Sequence, residues 1–114
     1  MSLSISTRVV DGVAVIDMFG RLQLGEATSK LRDAVNELLR EGYKKQLLNL
    51  ENVLHIDSSG IGELMGCFTS VKSQGGELKL LHLNKNVRNL LQVTRLYNIF
   101  DTHDDLASAL KAFS

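Results

Sequence analysis

The chain has 114 residues, the size of one domain, and its 44% hydrophobic and 23% charged residues are ordinary for a globular protein. Thirteen Lys and Arg balance thirteen Asp and Glu, so the basic excess that draws a protein to nucleic acid or to an anionic membrane is missing. One cysteine, Cys67, excludes an intramolecular disulfide and a cysteine-based zinc site, and the lack of proline excludes polyproline ligands and Pro-rich linkers.

Residues 1–12 show no basic stretch followed by an apolar run, and no segment approaches the ~18 apolar residues that span a bilayer. These features predict a cytoplasmic chain with no membrane insertion and no direct nucleic-acid partner. Leu3, Ile5, Thr7 and Val9 alternate with Ser4, Ser6 and Arg8, which predicts a strand with one wet face. Asp11-Gly12 suits a tight turn, and Val13 to Phe19 reads as the second strand of a hairpin, ended by Gly20. Ala27, Leu31, Ala34, Val35 and Leu38 have helical spacing; Glu26 suits that helix's N-terminus and Gly42 its C-cap. Leu47 to Leu50 reads as a buried third strand. Ile61, Leu64, Met65, Phe68 and Val71 mark a second helix, stopped by Gly75-Gly76. Leu78, Leu80, Leu81 and Leu83 make a fourth strand, and Val87, Leu90 and Leu91 a short third helix. Ile99-Phe100 reads as a stub of strand. Thr102 and Asp105 have capping-box spacing before a last helix that carries Leu106, Ala109, Leu110 and Phe113. The order β-β-α-β-α-β-α-β-α implies an α/β domain over 1–114, with parallel crossovers and one antiparallel hairpin.

The segment Asp57-Ser58-Ser59-Gly60-Ile61-Gly62-Glu63 joins strand three to helix two. In open α/β sheets the loops at the carboxyl ends of strands are where ligands and partners bind, and a helix N-terminus there favours an anion. Ser58 or Ser59 is also a plain helix cap, and both readings stand on the residues alone. Gly60, Gly62 and Gly66 miss the dinucleotide-loop spacing by one, because Met65 stands where a glycine is required. A nucleophile elbow around Ser59 needs glycine at Asp57. His55, His82 and His103 are scattered, and Cys67 lies beside Phe68 on a predicted helix. No catalytic or metal-ligating set is therefore expected.

The run Asp57-Ser58-Ser59-Gly60-Ile61-Gly62, after an apolar strand and opening a helix, resembles the signature of the STAS domain. It is closest to that of the bacterial anti-sigma factor antagonists (anti-anti-sigma factors). Gly20 with Leu22, Leu48-Asn49-Leu50, Gly75 to Leu78, and Val87 to Leu91 resemble the family's other segments, in order along nearly the whole chain. The resemblance implies the STAS fold: a small mixed sheet that opens with a β-hairpin, and about four helices mainly on one face. It implies a regulatory binding protein, not an enzyme and without a cofactor, phosphorylated at Ser58. The implied partners are an anti-sigma factor that is itself a serine kinase of the histidine-kinase-like ATPase class, and a PP2C-type phosphatase. The unphosphorylated form binds the anti-sigma factor and frees a sigma factor. The expected partner-binding residues are Asp57, Ser58, Ser59, Gly60, Gly62, Glu63 and Gly66, with Arg21 and Gln23 from the second strand's end. Gly62 and Gly66 would admit a partner backbone, or else serve tight helix–sheet packing.

Three segments depart from the family pattern. Arg21 and Gln23 stand where the family's Gly-Glu-Leu-Asp segment has acids, Leu83 to Asn86 lacks a proline, and Leu54-His55-Ile56 lacks an aromatic ahead of Asp57. The rival reading is a STAS subunit of an ABC-type lipid transport complex, with an unmodified serine.

Overall fold

A computed structural model describes residues 2–114. The elements are β1 (Leu3–Val10), β2 (Val13–Leu22), α1 (Glu26–Arg40), β3 (Lys45–Ile56), α2 (Ser58–Ser73), β4 (Glu77–Leu81), α3 (Lys85–Val93), β5 (Thr102–His103) and α4 (Leu106–Ala112). They form one five-stranded sheet in the order β1-β2-β3-β4-β5. The β1–β2 pair is antiparallel and the other three pairs are parallel. Each parallel crossover steps one strand along in the same direction, so right-handed connections put α1, α2 and α3 on one face.

That face carries the main core. Ala14, Ile16 and Met18 of β2 and Leu48 and Leu50 of β3 pack under Leu31 and Val35 of α1, Leu64 and Val71 of α2, and Leu91 of α3. On the opposite face only α4 is laid down, over Val13, Val15, Leu47 and Leu81. The two layers explain why Val13 to Ile16 is buried without alternation, whereas from Asp17 onward the outer face of β2 is open and Phe19 is 46% exposed.

Several boundaries differ from the sequence reading. β2 runs through Gly20 to Leu22. Gly20 has φ +115°, and a Cβ there would stand 2.3 Å from the Ser2 carbonyl oxygen, so it is a close-approach glycine inside a strand rather than a terminator. The fourth strand ends at Leu81, because His82 turns the chain at φ +57° before Leu83. The predicted stub at Ile99-Phe100 is not strand; Thr102–His103 pairs with β4 instead. Phe100 is a core side chain set edge-on to Phe68, with ring centroids 5.5 Å apart. Thr102 therefore belongs to the sheet, and Asp105 caps α4 by accepting from the Ser108 N–H at 2.8 Å. In the proline-free segment before α3, Asn84 accepts from the Val87 N–H at 3.0 Å and donates to the Val53 carbonyl at 2.7 Å, so one amide starts the helix and ties it to β3.

Candidate functional site

The carboxyl end of β3 outruns its neighbour. The last β3–β4 pair is Asn49 with Leu81, yet β3 continues to Ile56 and pairs there with β2 alone. Its register with β2 slips twice, between Asp17 and Phe19 and again between Gly20 and Arg21. At each slip β3 holds one residue more than β2, the arrangement of a β-bulge, which re-aims side chains near functional sites. The second slip leaves Leu54 extra, 62% exposed, and sets Arg21 opposite His55. The loop that opens α2 thus projects beyond β4 and β5.

Asp57, not either serine, caps α2. Its backbone is extended, and Oδ1 accepts from the Gly60 N–H at 2.8 Å. Its other oxygen, Oδ2, accepts from the Leu24 N–H at 3.1 Å. One carboxylate therefore joins the β3–α2 loop to the β2–α1 loop, 33 residues earlier in the chain. Partial burial pushes the Asp57 carboxyl up, but hydrogen bonds from the Gly60, Leu24 and Ser59 amides, with the nearby His55, outweigh it. The group sits below the usual carboxylate range and is an anion at neutral pH.

With the cap assigned to Asp57, Ser58 becomes the first residue of α2 and lies exposed, while Ser59 is half-buried behind it. Gly60 faces inward. A Cβ there would stand 2.3 Å from the Leu22 carbonyl oxygen and 2.8 Å from Ile56, so it is a packing residue and not the contact residue expected. Gly62 and Gly66 point outward: a Cβ on Gly62 meets nothing within 4 Å, and one on Gly66 meets only the Glu63 carboxylate at 3.6 Å. The helix–sheet packing alternative is thereby removed for both.

The fold and this loop coincide with a known family, because the STAS domain model matches residues 4–109. The chain belongs to the STAS domain family. It is similar to the anti-sigma F factor antagonist of Paenibacillus polymyxa, at 28% identity over 111 residues, 96% of this chain and 94% of that protein. The crystal structure of a candidate anti-sigma factor antagonist from Thermotoga maritima superposes with TM-score 0.88 at 28% identity, over 96% of this chain and 93% of that one. The Bacillus cell fate determinant SpoIIAA in its phosphorylated form shares the fold, with TM-score 0.72 at 22% identity, over 95% of this chain and 97% of that one.

Elsewhere on this STAS domain, the remaining sequence candidates separate. Glu63 is drawn back along the helix: Arg32 of α1 grips it through Nη2 at 2.5 Å and Nε at 3.3 Å, and only 9% of its side chain is exposed. It fastens α1 to α2 and is unavailable as a free contact. Cys67 lies beneath it, and burial, together with the Glu63 charge, pushes the thiol up to about 12. A thiol so protonated at neutral pH is core, not nucleophile. His55 is exposed beside the loop. His82 and His103 instead approach Glu51 and Asp101 near the β4–β5 end, at 3.9 and 3.1 Å. Arg21 is exposed and Gln23 half-buried, and both line a recess with Leu24, Glu26 and Lys30.

Leu24 was missed by sequence reasoning. It is 77% exposed and its amide is the one held by Asp57. A lone leucine between Gln23 and Gly25 carries no periodic signal, and its partner lies in another loop. Among the described residues, no helix is long and apolar enough to cross a membrane, and no group of three or more His, Cys, Asp or Glu has metal-site geometry.

Proposed function

We propose that residues 1–114 form one STAS domain that acts as an anti-sigma factor antagonist, switched off by phosphorylation of Ser58. The single observation carrying this reading is the position of Ser58: exposed, first in α2, on a loop that projects beyond the sheet and beside an outward face made of Gly62 and Gly66. Relatives of similar length are named anti-sigma F and anti-sigma-B factor antagonists, and they support the same reading.

Phosphorylation adds about −1.5 to −2 charges. At a helix N-terminus such a charge is locally favourable by ~0.3–1 kcal/mol. Here that gain is opposed, because the Asp57 carboxylate already occupies the helix end. The fold survives, and the consequence falls on the interface. A dianion beside Asp57 must be desolvated or repelled when a partner closes over it, and a loss of about 3 kcal/mol weakens affinity by roughly two orders of magnitude. The partner on this reading is an anti-sigma factor that is also a serine kinase of the histidine-kinase-like ATPase class. A PP2C-type phosphatase reverses the reaction, and all three act in the cytoplasm. The chain is the kinase's substrate, not an enzyme.

The test uses the purified anti-sigma factor of the source organism. Wild-type protein is expected to bind it and to take label from radioactive ATP, with phosphate on Ser58 in the tryptic peptide Gln46–Lys72. Ser58→Ala binds without labelling. Ser58→Asp loses binding, while its thermal midpoint stays within about ±0.5 kcal/mol equivalent of wild type, as for other surface changes. Phosphate on Ser59, or full labelling of Ser58→Ala, overturns the site. An unlabelled wild type that does not bind overturns the function and returns the transport-subunit reading.

A further inference from the structure

Most arginines of this chain are spoken for. Arg8 pairs with Asp17 at 2.9 Å, Arg32 with Glu63 at 2.5 Å, Arg40 with Glu37 at 2.5 Å and Arg88 with Asp104 at 3.4 Å. Arg21 and Arg95 have no side-chain partner among the described residues, and of the two it is Arg21 that stands at the end of β2 beside the α2 loop. Arg21 lies opposite exposed His55 in the β2–β3 register, three positions before Leu24, whose amide is bonded to Asp57 next to Ser58. The acidic groups around it are committed or offset. Asp57 already accepts a backbone amide on each of its two oxygens. Glu26 sits in the first turn of α1, where it complements that helix's positive end. Lys30, on the same recess, donates to the Leu3 carbonyl at 2.9 Å. Beside these charges stand two outward leucines, Leu24 and the bulged Leu54.

We propose that Arg21 selects the partner. Together with His55, and flanked by Leu24, it forms a docking point for a protein surface that offers a carboxylate next to an apolar socket. The inference rests on the anti-sigma antagonist reading and adds the chemistry of the matching surface: acidic where it meets the end of β2. The argument is one of charge complementarity. An exposed guanidinium without an internal partner loses nothing in the free protein, and gains a bidentate carboxylate when a complementary surface arrives. At an interface rim such a pair acts chiefly on association rate and on its salt dependence.

The experiment measures association of the full chain with the purified anti-sigma factor across a range of ionic strength, for wild type, Arg21→Gln and Arg21→Glu. The expected result is a slower association for Arg21→Gln and a loss of roughly tenfold or more in affinity for Arg21→Glu at low salt. Both differences shrink at high salt, and both thermal midpoints stay at the wild-type value. Equal binding by all three proteins at low salt, with wild type binding well, overturns the role of Arg21 and leaves the antagonist reading standing. A tighter complex with Arg21→Glu means the facing surface is basic and overturns the stated chemistry. If instead Arg21→Glu lowers the midpoint of the Ser58-phosphorylated protein alone, with binding unchanged, Arg21 serves the chain's own phosphate and the proposal fails. If wild type does not bind at all, the antagonist reading falls and this inference falls with it.

Discussion

The two faces of α2 respond in opposite ways to one added methyl group. On the inner face Gly60, Ile61, Leu64, Cys67 and Val71 are buried, and Gly60 lies so close to the Leu22 carbonyl that no Cβ fits. On the outer face Ser58, Gly62 and Gly66 are exposed, and a Cβ at Gly62 enters open space. Glycine costs a helix interior about 1 kcal/mol relative to alanine. At Gly60 that cost is offset by close packing of the helix start on β2. At Gly62 no contact among the described residues offsets it, since a Cβ there meets nothing within 4 Å.

Substitution at Gly60 tests the inner face and has the largest expected effect. Gly60→Ala must displace the Leu22 backbone or the Ile56 side chain, and overpacking of this kind costs about 1–3 kcal/mol. A denaturant midpoint unchanged from wild type breaks the contrast. Next is the joint that holds the two faces in place. Asp57→Ala removes the acceptor for the Gly60 and Leu24 amides, and loss of an N-cap costs about 0.5–2 kcal/mol. Because the folded-state pKa is lowered, the contribution is fully present above the unfolded pKa and is lost as pH falls through the folded value. The stability gap between Asp57→Ala and wild type is therefore expected to be constant near neutrality and to close below about pH 4. A gap that widens on acidification contradicts the assignment. Faster hydrogen exchange at the Leu24 amide in the variant checks the cross-loop bond directly.

Smaller effects sharpen the outer face. Gly62→Ala is expected to stabilise the free protein by up to about 1 kcal/mol, while binding of the anti-sigma factor weakens. A variant that is more stable and binds as well as wild type removes Gly62 from the interface. Smallest of all is Ser59→Ala. Since the cap is Asp57, its midpoint is expected within about ±0.5 kcal/mol of wild type; a full capping loss reassigns the cap to Ser59.

Much of this protein was legible from its residues in order. The first strand, the Asp11-Gly12 turn, the helical series in α1 and α2 and the element order are local signals, because side-chain periodicity follows directly from backbone geometry. The expected dry face of β1 holds only at Leu3 and Ile5, since Thr7 and Val9 are exposed and Val10 packs on the α4 side. The Asp57 to Gly62 signature was also readable, since those residues are contiguous. The misread boundaries share a cause. Gly20 is a terminator by local rules, but the Ser2 carbonyl just ahead of β1 comes so close that only glycine fits. Phe100 has strand propensity, yet its place is against Phe68 in the core. Ser58 and Ser59 are good caps by residue type, but Asp57 already reaches Gly60.

What composition and periodicity determined, then, was a mixed α/β chain without the charge excess or the ligand sets of other classes, carrying one loop of the right chemistry. Tertiary structure alone decided how the residues around that loop are turned and held. The bulges of β3 that expose Leu54 and set Arg21 beside His55, the Asp57 bond to Leu24, the retreat of Glu63 to Arg32, and the opposite roles of Gly60 and Gly62 all depend on contacts between segments far apart in the chain. Such contacts leave no period in the sequence, because the partner of each residue is set by how the strands register and how the helices lie on them.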